Sequence, residues 1–196
     1  MILNICLDEF KTIFFLNGKV ANSSIKKAIR EMEGKPSHPI HSGWHYISAC
    51  GVKKKEGYLK VAVVRNPWAR FVSCYYQKIV GPKPTHIVNI RGFRKGMSFG
   101  DFVEAVERTP KTKREMHLRP QTVSMVCENE FIPTWVIKLE NIKKEWKKLQ
   151  KVLPIPDLIP RNTTEHPPYR ECYNEKQKQF VAERYAQDIE LLNYEF

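Results

Sequence analysis

The chain has 196 residues, 42% of them hydrophobic and 28% charged, with a net charge of +12. That balance fits a globular domain with its own core, and no apolar run is long enough to span a bilayer. Asp8 and Glu9 interrupt the first segment where a signal peptide needs apolar residues. The expectation is a single domain over residues 1–196, cytoplasmic and without stable membrane insertion.

The positive charge favours anionic partners: nucleic acid, acidic glycans, membrane surfaces or polyphosphorylated cofactors. It does not choose among them. Lys143, Lys144, Lys147, Lys148 and Lys151 read equally as a solvated helix face or a binding patch. Cys6, Cys50, Cys74, Cys127 and Cys172 are odd in number, scattered and without a C-x-x-C pair. They point to neither a zinc site nor a disulfide framework, but to buried thiols in a reducing compartment.

A β-branched and aromatic run predicts a first strand over 12–16, stopped by the turn pair Asn17-Gly18. A helix follows from 23 or 24 to 32, with Ile25, Ala28, Ile29 and Met32 on one face, Ser23 as cap, and Gly34 and Pro36 at its end. The second strand spans 59–64, and Pro67 suits the first turn of a helix over 67–79. A helix is predicted over 98–107, a third strand over 135–139 and a basic helix over 142–153. Segment 154–168 is a Pro-rich loop, and 174–192 reads as one amphipathic helix. Strands alternating with helices predict an α/β fold, a central parallel sheet flanked by helices. Ligands of such sheets bind beyond the carboxyl ends of the strands.

Two turns lie at such ends. The first runs Gly18-Lys19-Val20-Ala21-Asn22-Ser23-Ser24-Ile25 into a helix. Backbone amides at the helix start, the Ser23 and Ser24 hydroxyls and the mobile Lys19 cation suit a phosphate or a transferring oxyanion. A nucleoside-triphosphate loop would need a Gly where Ile13 stands and a Ser or Thr after the Lys, where Val20 stands. The second turn is Arg65-Asn66-Pro67-Trp68-Ala69-Arg70-Phe71-Val72-Ser73. Arg65 offers a planar fork, and Ser73, eight residues on, returns to a similar side of the helix.

The two turns together resemble the motifs of sulfotransferases that use 3′-phosphoadenosine-5′-phosphosulfate (PAPS), particularly the carbohydrate branch with the heparan and chondroitin enzymes. Residues 18–24 are similar to that family's 5′-phosphosulfate loop, with Gly18 replacing its usual Pro. Residues 65–73 match its 3′-phosphate motif at every defined position. His117-Leu118-Arg119-Pro120-Gln121, Leu139-Glu140-Asn141 and the Tyr185…Asp188…Tyr194 ending resemble further pieces of the same branch.

The resemblance implies a P-loop-like sulfotransferase fold and in-line transfer of a sulfo group from PAPS to a hydroxyl, leaving 3′,5′-adenosine bisphosphate. It implies that Lys19, Val20, Ala21, Asn22, Ser23, Ser24 and Ile25 bind the 5′ side, with Lys19 also catalytic. Arg65 and Ser73 would hold the 3′-phosphate. Thr163, Tyr169 and Arg170 fall in a loop that would close over the cofactor. No metal is implied. A histidine suits the general base; His41 and His45, between the two motifs, are favoured over His117. The acceptor would be a glycan or another small hydroxyl-bearing molecule, and not nucleic acid. Two rival readings stand beside this one: a nucleotide kinase with a degenerate phosphate loop, and a basic nucleic-acid- or glycan-binding module without catalysis.

Overall fold

The computed structural model describes residues 4–82, 86–90, 92–109, 116–162 and 164–196. They group into two compact units, Met1–Arg65 with Gln121–Asn162 and Asn66–Pro120 with Thr163–Phe196.

The first unit is built on a five-stranded sheet of order β3-β1-β2-β4-β7. Its strands are β1 (Asn4–Leu7), β2 (Thr12–Leu16), β3 (Tyr46–Ile47), β4 (Leu59–Val64) and β7 (Trp135–Lys138). β2, β4 and β7 run parallel, with Phe14 opposite Val61 and Val63 opposite Ile137. β1 is antiparallel to both β2 and β3. The sheet is therefore mixed: its core is the expected central parallel one, and an antiparallel strand is added beside it. The difference comes from β1, a four-residue strand that hairpins onto β2 through the acidic turn at Asp8 and Glu9.

Both faces of the central strands are buried, which explains their nearly continuous apolar sequences. On one face Ile5, Leu7, Phe14, Val61, Val63 and Ile137 share a core with α1 (Asn22–Met32) and α5 (Ile142–Leu149). Ile25, Ala28 and Ile29 come from the first helix, and Trp146 and Leu149 from the second. Burying each of the larger side chains contributes about 1.5–3 kcal/mol. On the other face Ile13, Phe15, Ala62 and Val64 are fully buried. Because β2 and β4 are parallel and in register, Asn17 and Arg65 emerge at the same edge.

The short helix α2 (Ala49–Lys53) lies beside a hairpin of β5 (Val126–Cys127) and β6 (Glu130–Phe131). Cys50 and Cys127 form a disulfide, with Cα atoms 5.1 Å apart. The expectation of thiols in a reducing compartment fails for this pair. The partners are 77 residues apart, and only the tertiary fold brings them together. Cys6 and Cys74 are buried free thiols, and Cys172 is half-buried.

The second unit is helical among its described residues. Asn66 caps α3 (Pro67–Tyr75) by accepting from the amides of Trp68 and Ala69, and Pro67 starts the first turn. The helix continues as a π turn over Tyr76–Val80. α4 (Phe99–Arg108) is capped by Ser98, and α6 (Glu175–Arg184) by a capping box of Asn174 and Gln177. Phe71 centres the core, its ring 5.1 Å from Phe102 and 6.4 Å from Tyr185. The single terminal helix that was expected is two, because Tyr185 leaves helical geometry before α7 (Ala186–Leu192). Its buried hydroxyl donates to the Leu118 carbonyl at 2.9 Å.

Candidate functional site

The turn from β2 to α1 is held in an unusual backbone conformation. Lys19 (φ 72°) and Ala21 (φ 60°) are both left-handed, at about 1–2 kcal/mol each for a residue with a Cβ. Asn22 Nδ2 donates to the Asn17 carbonyl at 3.2 Å and so closes the turn. The helix cap is Ala21, not Ser23, and it offers no side-chain acceptor. The first ladder bond is Ile25 N–H to the Ala21 carbonyl at 3.0 Å. The amides of Asn22, Ser23 and Ser24 thus precede the ladder, at the positive end of an eleven-residue helix with no acid in its first turn. Such a helix start has the donors and the field that suit an anion. Asn162 Nδ2 reaches Ser23 Oγ at 3.4 Å. Val20 and Ile25 are buried in the core, and the Ile25 amide is engaged in the helix, so neither offers a side chain to a ligand.

Arg65 follows β4 one residue beyond its last paired position. Its main chain is held by the side chain of Gln121, which is fully buried. Gln121 Oε1 accepts from the Arg65 amide at 3.0 Å, and Nε2 donates to the Arg65 carbonyl at 2.9 Å. The Gln121 carbonyl accepts from Asn17 Nδ2 at 3.1 Å, and Asn17 also reaches Ser124 Oγ at 3.3 Å. Asn17, Gln121 and Ser124 therefore join the carboxyl ends of β2 and β4. The Arg65 guanidinium lies 3.5 Å from the Lys19 carbonyl. Motif reading gave none of these three a role. Gln121 ends the His117–Gln121 stretch that resembles the family, but no local pattern pairs it with Asn17, Ser124 or Arg65.

The Sulfotransferase family profile matches residues 4–195. The chain belongs to the sulfotransferase family. No curated protein and no solved structure is significantly similar to it. Membership makes it an enzyme of sulfo transfer, in a family that typically takes the sulfo group from PAPS. The parallel β2-β4-β7 core, with a phosphate-type turn leading from β2 into α1, agrees with the P-loop-like fold. Among the described residues of this sulfotransferase, no helix is long and apolar enough to cross a membrane.

Other expected site residues are scattered. β3 pairs with β1 so that His45 stands level with the start of β2. Its Nδ1 lies 3.0 Å from Asp8 Oδ2, in the hairpin turn at the amino edge of the sheet. The four residue steps of β2 put that edge roughly 13 Å from the Lys19 turn. The loop that carries His41 docks through Arg30, whose guanidinium donates to the Ser42 and Gly43 carbonyls at 2.7 and 2.9 Å. Arg30 also stacks 3.6 Å from the Trp44 ring. It sits about 12 Å down α1 from the helix start. Neither histidine is brought to Lys19.

In the second unit, Ser73 is buried in α3, and His117 is half-buried in the turn Met116–Leu118. Tyr169 packs edge-on against Phe196, and Arg170 donates to the Phe196 carbonyl at 2.8 Å. Thr163 lies outside the described residues.

The structure also gathers Cys6, Asp8 and His45, whose ligand-type atoms lie within 4.8 Å of one another. Asp8 is already satisfied: Lys55 Nζ and Tyr58 OH donate to Oδ1 at 2.8 and 2.7 Å. These bonds, Lys55 first, hold its carboxyl well below the usual carboxylate range. Burial, then the Asp8 charge, pushes the Cys6 thiol up to about 11. Cys6 is therefore a neutral thiol at neutral pH, and the cluster is an ion-pair network around Asp8.

Proposed function

We propose that this sulfotransferase uses PAPS and transfers its sulfo group to a carbohydrate hydroxyl, the two units working as one domain across the family match. The observation that carries the cofactor reading is the β2–α1 turn. Left-handed Lys19 and Ala21 leave the start of α1 without a side-chain cap, an arrangement that suits an anion. When bound, PAPS supplies the sulfo group and a bisphosphate leaving group. The amides of Asn22, Ser23 and Ser24 and the serine hydroxyls hold the 5′-phosphate. Lys19 neutralises charge that builds on the bridging oxygen. Arg65 and Ser73 are assigned to the 3′-phosphate by the motif they share. Thr163, Tyr169 and Arg170 are assigned to the adenine side on the resemblance alone.

His117 is the histidine we assign to the acceptor proton. His45 is engaged by Asp8 at the opposite edge, and the His41 loop is anchored far down α1. The net charge of +12 supports an anionic glycan as acceptor. The Cys50–Cys127 disulfide favours a compartment in which disulfides persist, against the cytoplasmic expectation.

Calorimetric titration with 3′,5′-adenosine bisphosphate, 5′-AMP and Mg-ATP tests the cofactor. Binding that needs the 3′-phosphate and weakens in Arg65→Ala supports it. Equal binding of 5′-AMP, or preference for Mg-ATP, refutes it. Loss of turnover in His117→Ala, with activity kept in His45→Ala, tests the base.

A further inference from the structure

We infer that Gln121 is the positioning residue for 3′-phosphate recognition, acting through the main chain of Arg65; this rests on the PAPS reading above. Arg65 sits past the last rung of β4, where the sheet no longer supplies partners to its amide and carbonyl. The Gln121 side chain supplies both, at 3.0 and 2.9 Å, in the manner of an added strand. A primary amide donates and accepts in this paired geometry and, unlike a carboxyl group, does so without a titrating proton. A buried amide with both partners satisfied fixes the φ and ψ of the residue it holds, and with them the direction in which the Arg65 fork leaves the sheet.

The holder is itself held. The Gln121 carbonyl takes Asn17 Nδ2, which precedes the Lys19 turn, and the Ser124 carbonyl takes Asn4 Nδ2 from β1 at 3.0 Å. Six residues on, Cys127 is fastened to α2 by the disulfide. Gln121 thereby sets Arg65 in a fixed relation to the 5′-phosphate turn within one unit. Its side chain holds Arg65, while the Asn17 contact uses its main chain.

The test compares 3′,5′-adenosine bisphosphate with 5′-AMP by calorimetry on wild type, Gln121→Met, Arg65→Ala and the double variant. Gln121→Met keeps the volume and removes both bonds. It is expected to weaken the bisphosphate roughly tenfold or more, with 5′-AMP changed by less than about threefold. In the Arg65→Ala background the same change should add little, because the two act as one unit. Equal weakening of both nucleotides, or additive losses, overturns the inference. If wild type itself shows no 3′-phosphate preference, the PAPS reading has failed instead.

Gln121→Glu gives an independent readout. Its carboxylate cannot donate to the Arg65 carbonyl, but the protonated acid can replace the amide. Relative to wild type, its bisphosphate affinity should recover as pH falls through the carboxyl pKa, which burial raises. A flat ratio across pH overturns the inference, even if Gln121→Met does not fold.

Discussion

Reducing the Cys50–Cys127 disulfide should destabilise the protein by an amount set by the chain it closes. The partners are 77 residues apart. Cross-linking a loop of that length removes about 15 cal/mol/K of entropy from the unfolded chain, or about 4.5 kcal/mol at room temperature. That is a large part of the 5–15 kcal/mol typical of a whole domain. Reduction is a better perturbation than substitution, because Cys127 is buried and its side chain also packs. The assay is urea unfolding of oxidised and reduced wild type, with thiols counted in denaturant. Oxidised protein should show three free thiols of the five cysteines, and the reduced form should unfold at a clearly lower urea midpoint. A Cys50→Ala/Cys127→Ala variant should be insensitive to reductant. Five free thiols in protein purified without reductant, or identical midpoints, would refute the reasoning.

Other expectations follow from single contacts. Asp8 has a folded-state pKa below its ordinary value, so its ionised form adds stability above about pH 4, and that is lost as pH falls further. Asp8→Asn should be less stable than wild type at neutral pH, and acid unfolding curves should converge at low pH; a constant gap would contradict this. Asn66→Ala removes the α3 cap and a 2.7 Å bond to the Glu195 carbonyl, which should cost about 1 kcal/mol or somewhat more in chemical denaturation. Phe71→Ala empties the centre of the helical unit and should cost about 3–5 kcal/mol by the same measurement. Ala21→Gly should retain bisphosphate affinity in calorimetry, whereas Ala21→Val, β-branched at a left-handed position, should lose both affinity and thermal stability.

Much of the fold was legible because its long elements carry strong local signals. β2 and β4 announce themselves by β-branched and aromatic runs, and α1 by its apolar face. Asn66-Pro67 is a cap and first turn that sequence chemistry reads directly. What escaped was short or tertiary. β1 and β3 have too few residues for periodicity to register, yet they turn the sheet mixed and carry His45 to the amino edge. Its place between the two motifs in chain order does not encode that position. The Ser23 cap failed because the left-handed turn at Ala21 starts the helix earlier. Gln121 stood inside a recognised motif, but its role depends on lying beside Arg65, 56 residues earlier in the chain. No local pattern encodes that pairing, or the pairing of Cys50 with Cys127.

The most direct test of the central claim is transfer itself, with sulfo-labelled PAPS and a panel of desulfated glycans, on wild type and Lys19→Ala. The account predicts label on a glycan with wild type, a loss of several orders of magnitude in Lys19→Ala, and a much smaller loss of 3′,5′-adenosine bisphosphate binding in that variant. Full transfer by Lys19→Ala, or no transfer by a wild type that binds the bisphosphate, would contradict it.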